Sequence, residues 1–155
     1  MPIDIGLDND ARTKIADGLR RYLADTYVLY MRTHGYHWNV EGPRFTSLHT
    51  MFEEQYRELW AALDELAERI RSLGAYAPAN GKELAEVASL TEQTNDRPDA
   101  DGMIQSLVDG HEAMARASRE LIDLAGEAGD TGTEDLITGR LAVHEKTAWM
   151  LRSSR

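Results

Sequence analysis

What most limits the possible folds of this chain is the uneven spacing of its helical segments. Four long stretches repeat apolar residues every three or four positions, and the links between them run short, long, short. The first is predicted from a cap at Asp8 or Asp10 to about residue 38, with Ile15, Leu19, Leu23, Tyr27 and Tyr30 on one side. It stops in the turn-forming NVEGPR. A second runs from about residue 44 to 73, where Gly74 offers a C-terminal stop. From residue 75 to about 98 the periodicity lapses, although KELAEVAS has the length for two helical turns. A third is predicted over 99–128, with Met103, Leu107, Met114, Leu121 and Leu124 inward and Gly102 and Gly110 as weak points. After GDTG a fourth covers 133–152, with Trp149 in the core.

Helices joined by short links lie antiparallel, side by side. A long link lets the next helix start again from the opposite end. The reading is therefore all-α: a ferritin-like four-helix bundle with a short helix in the long crossover between the second and third helices. The 155 residues are expected to form one domain, 1–155.

Composition narrows the partners. The chain is 42% apolar and 28% charged, as expected of a globular protein. No apolar run approaches the roughly 20 residues of a membrane-spanning helix. MPIDIGLDND has neither the basic nor the apolar region of a signal peptide, so the expected compartment is the cytoplasm, with no membrane partner. Without cysteine, a metal must take oxygen and imidazole ligands. Acidic residues outnumber basic ones 27 to 17, a net charge of −10 that repels nucleic acid and attracts cations.

The second helix carries a chemical stripe. With His49 at zero, Glu53 falls at about 40°, Asp64 at about 60° and Glu68 at about 100°. An apolar stripe of Phe45, Leu48, Phe52, Leu59, Leu63, Leu66 and Ile70 runs beside it, and Glu54, Glu58 and Glu65 point to solvent. His49 and Asp64 are about 22 Å apart along the axis, so one chain cannot bring them to one ion. A second copy of the helix, antiparallel about a two-fold axis near Glu58 and Leu59, sets His49 and Glu53 opposite its own Asp64 and Glu68, twice over. His37 is positioned to close each site. His34, His111 and His144 read as ordinary structural residues. The chain has no Glu-x-x-His, which argues against a di-iron site inside the bundle. It also lacks a nucleophile elbow and a Walker loop.

HWNVEGPRFTSLH (His37 to His49) and LDELAERI (Leu63 to Ile70) resemble the two linked signatures of the Dps family, the dodecameric mini-ferritins named as DNA-binding proteins from starved cells. The resemblance extends to GDTGTEDLITGRLAVHEKTAWMLRS. It implies a hollow dodecamer with an iron-oxidising centre across each two-fold interface, formed by His37 and His49 of one subunit and Asp64 and Glu68 of its neighbour. Glu53 stands where many members have aspartate. Trp38 matches the tryptophan beside the family's centre, for which interface packing and a redox role are both open. The implied reaction is Fe(II) oxidation by hydrogen peroxide, with oxygen slower, then storage of ferric mineral. Zinc suits the same donors. Asp135 matches an acidic position of the family's iron-entry pore, with Asp130 and Glu134 as neighbouring candidates. The alternative is a DNA-compacting nucleoid protein. Against direct DNA binding stand the net charge and an N-terminal arm with no Lys or Arg before Arg12.

Overall fold

The computed structural model describes residues 2–91 and 97–155; Met1 and residues 92–96, a piece of the expected crossover, lie outside them. Five helices and no strand occur among the described residues: α1 (Asn9–Asn39), α2 (Phe45–Ser72), α3 (Gly81–Val87), α4 (Ala100–Glu127) and α5 (Thr131–Arg152). Capping residues set these limits. Asp8 accepts from the Ala11 N–H at the head of α1, and Asp99 from the Gly102 N–H at the head of α4. Gly74 and Gly129 end α2 and α4 with φ of 95° and 74°, a conformation that favours glycine. Their turns are closed by Ala75 N–H donating to Ile70 C=O and Asp130 N–H to Ala125 C=O. Asp130 then accepts from the Thr133 N–H, so the Gly-Asp pair both ends α4 and begins α5. That cap starts α5 at Thr131, earlier than the expected 133.

α1 with α2 and α4 with α5 form two hairpins. α1 lies antiparallel to α4, since Tyr36 meets Ser106 and Tyr22 meets Ser118. α2 lies antiparallel to α5, since Arg69 meets Asp130 and Glu58 meets Arg140. α2 and α4 therefore run parallel, and the crossover must return along about 40 Å of bundle. α1 fastens it. The buried Asp25 carboxylate accepts from Ser89 N–H and Leu90 N–H, both at 2.7 Å, and from the Ser89 hydroxyl at 2.5 Å. Arg32 donates to Thr91 C=O at 2.6 Å.

Leu19, Leu29, Phe52, Leu59, Leu66, Leu107, Met114 and Ile137 form the fully buried centre. Two expectations need correction. Trp149 is 58% exposed, not core, and Phe45 is 44% exposed although it lies on the predicted apolar stripe. Leu63, Tyr27 and Leu124 pack against this core from its margin, half-buried. Gly110 allows α4 to approach α1 closely, where a Cβ would lie 2.7 Å from the Leu29 methyl. No helix among the described residues is long and apolar enough to cross a membrane.

Candidate metal centre

His37, in the last turn of α1, and His49, in the first turns of α2, face each other across the Val40–Arg44 link. Their rings stack at 3.8 Å and 18°. His37 Nδ1 lies 2.7 Å from the His49 carbonyl, and His49 Nδ1 lies 2.7 Å from the His37 carbonyl. A carbonyl oxygen can only accept, so each Nδ1 carries the proton and donates. In a neutral ring this fixes the tautomer and leaves the Nε2 lone pair able to bind a metal.

Aromatic rings enclose this pair. Phe45 stacks on His49 at 5.0 Å, which explains its exposure within one subunit: it covers that ring rather than the bundle core. His34 stacks on Tyr56 at 3.8 Å and meets Trp38 at 4.1 Å with the rings tilted, and its Nδ1 lies 3.0 Å from the Tyr30 hydroxyl. Desolvation, then the neighbouring His37 and Arg57, lowers the His34 pKa. His34 thus belongs to the wall of the centre. The spacing of Tyr30, His34 and Trp38 on α1 opposite Tyr56 and Trp60 on α2 was the available signal for that wall.

The carboxylates divide into two sets. Glu53 sits one turn beyond His49 and accepts from Arg57 at 2.7 Å. Asp64 and Glu68 are exposed and make no ion pair or hydrogen bond with another described residue. No group of three or more metal-binding side chains converges among the described residues. Leu59, near the expected two-fold axis, points fully into the core, while Trp60 takes the outward position and is 62% exposed. At about 20° on the wheel, Trp60 lies on the same stripe as His49, Glu53 and Asp64.

The bundle interior is already occupied by other chemistry. Where di-iron bundles gather carboxylates and Glu-x-x-His pairs from four helices, this chain buries Tyr22, His111, Ser118, Arg140 and His144. Arg140 forms a two-pronged ion pair with Glu58, whose side chain stays 39% exposed at the edge of the bundle, a partner that the wheel does not indicate. Burial opposes the charge of Arg140, but the Glu58 contacts outweigh it and raise the pKa. Burial pushes the Tyr22 phenol up to about 12, so it stays neutral and donates to Ser118 at 2.8 Å. His111 and His144 share one proton between Nδ1 atoms 2.9 Å apart, and neither Nε2 has a partner among the described residues. The guanidinium supplies the positive charge of this layer.

At the α4–α5 turn the three pore candidates differ. Asp130 is 3% exposed. Its carboxylate caps Thr133 N–H, accepts from the Thr133 hydroxyl and pairs with Arg69 at 2.5 Å. Within the subunit it is a buried cap, while Glu134 is half-buried and Asp135 exposed.

A profile of the ferritin-like domain matches residues 16–154. A low temperature-induced protein of Nostoc sp. is 43% identical over 97% of this chain and 85% of its own length. DNA protection during starvation protein 2 of Bacillus anthracis is 36% identical over 90% of this chain and 95% of its own. The crystal structure of a Dps protein from Vibrio cholerae O1, described as a ferritin-like diiron-carboxylate protein, superposes with a TM-score of 0.93. It is 40% identical, covering 99% of this chain and 96% of that one.

Proposed function

The chain belongs to the Dps family of ferritin-like proteins, and from that membership we propose that it assembles with copies of itself to oxidise and store iron. Iron is the substrate. One observation carries the reading: His37 and His49 fix each other with both Nε2 atoms free, while the unpaired carboxylates of the same stripe lie about 22 Å away. An antiparallel two-fold dimer through α2 unites the two halves. His37 and His49 of one subunit then face Asp64 and Glu68 of the other, with Glu53 beside them. The imidazoles supply neutral donors, and the carboxylates supply the charge that holds Fe(II) and suits the harder Fe(III). The buried Arg140, with His111 and His144, fills the bundle interior and supports an interface location.

The oxidant is hydrogen peroxide, with oxygen slower; one peroxide takes two electrons, one from each of two Fe(II). Twelve subunits enclose the ferric product, with Glu134 and Asp135 lining an entry pore. Trp38 packs at the interface beside the centre. Stopped-flow Fe(II) oxidation with peroxide tests this against a His37→Ala, His49→Ala chain of verified assembly. Near-complete loss of the fast phase is expected, and an unchanged rate contradicts the site. The charge of −10 argues against direct DNA binding, and a gel shift of duplex DNA at moderate salt without divalent cations reverses that reading.

A further inference from the structure

The stripe that carries the ligands also carries a cation. Arg57 lies on α2 at about 80°, beside Glu53 at about 40° and Asp64 at about 60°. Its Nη2 and Nε both donate to one Glu53 oxygen, at 2.7 and 3.1 Å. Tyr56 backs the guanidinium at 5.9 Å and itself stands edge-on to His37 at 5.2 Å. Glu53 is the residue left to hold a second metal ion once His37, His49, Asp64 and Glu68 hold the first. A divalent ion there meets a carboxylate already engaged and a like charge beside it.

We propose that Arg57 sets the metal capacity of the centre, standing in at Glu53 as an organic cation where a second metal ion would bind. The inference rests on the two-fold centre proposed above. Each centre then holds one divalent ion tightly and admits another only as Arg57 swings away. Its exposed i,i+4 geometry makes that displacement feasible, since such pairs are weak. Arg57 is thus a specificity-determining residue that touches a ligand, not the reacting atoms.

Titration calorimetry with Zn(II), which has no redox chemistry to confuse the count, reads the number of tight sites in purified shells. The unaltered chain should show one tight site per subunit. Arg57→Gln, an exposed change that size exclusion should show to be harmless to assembly, should tighten a second site by about tenfold. Most of that gain comes from removing repulsion between a guanidinium and a divalent ion, not from freeing an exposed pair. Arg57→Gln with Glu53→Gln should lose the second site again. Two equivalent tight sites in the unaltered chain, or an Arg57→Gln isotherm that superposes on it, overturns the inference. A His37→Ala, His49→Ala shell that keeps the first site overturns the two-fold centre beneath it, a result distinguishable from the other two.

Discussion

Acid should loosen the interior of each subunit through His111 and His144. Burial, with Arg140 repelling added charge, holds His111 down to about 3. Burial, then His111 and Arg140, holds His144 well below its usual range. In an unfolded chain a histidine titrates at about 6.5. Between those limits the unfolded chain binds more protons than the folded one, so the stabilisation present above about 6.5 is lost as the pH falls toward the folded value. For His111 alone the loss relative to pH 7.5 is about 1.4 kcal/mol by pH 5.5 and about 2.7 kcal/mol by pH 4.5. His144 acts in the same direction and steepens the slope. Arg140, paired with Glu58, and the neutral Tyr22 keep their charge states throughout this window. The assay is urea unfolding across that pH range at one fixed protein concentration, because assembly makes stability concentration-dependent. The reference is His111→Leu, His144→Leu, which removes both polar partners together and leaves no orphaned donor. Carboxylate titration is common to both chains and cancels. The double variant should lose less stability on acidification by at least the His111 amount. Equal losses in the two chains would refute the reasoning.

Trp60→Glu, on the exposed stripe near the proposed axis, should weaken two-fold assembly by about 2 kcal/mol or more. Size exclusion should then show smaller species with helical circular dichroism unchanged, whereas intact shells would argue against α2 at that interface. Asp130→Ala removes the α5 cap and strands Arg69, so unfolding at fixed concentration should show a loss of about 2–4 kcal/mol. Asp130→Asn keeps an acceptor for the Thr133 N–H and should lose less; if the two variants lose equally little, the cap is not what stabilises that turn.

The helices were legible because their limits are written in local chemistry: Asp8 as an N-cap, Gly74 as a stop. Helix spacing alone also indicated that His49 and Asp64 are too far apart to share an ion. The wheel assigns each residue an angle, but which arc is buried depends on what lies opposite. Phe45 and Trp149 look like core by angle and spacing, yet Phe45 covers His49 and Trp149 is open to solvent. Glu58 looks like surface, yet it partners a buried arginine contributed by a helix more than eighty positions away in the chain. The reciprocal hydrogen bonds of His37 and His49 run from ring to backbone, so they depend on the turn between α1 and α2 and not on any residue pattern. His111 and His144 read as unremarkable for the same reason: their pairing requires the register of α4 against α5.

The split of the centre between two subunits is tested most directly by complementation. A His37→Ala, His49→Ala chain and an Asp64→Ala, Glu68→Ala chain each leave every centre crippled when assembled alone. In a mixed two-fold pair, one centre regains all four ligands and the other loses all four. Peroxide-driven Fe(II) oxidation is measured as an initial rate in purified mixed shells whose co-assembly is verified by differential tagging. The account predicts weak activity in either parent shell and recovery in the mixed shells, with about half the sites in mixed pairs restored. Verified mixed shells that remain as inactive as their parents would contradict a centre built from His37 and His49 of one subunit and Asp64 and Glu68 of another.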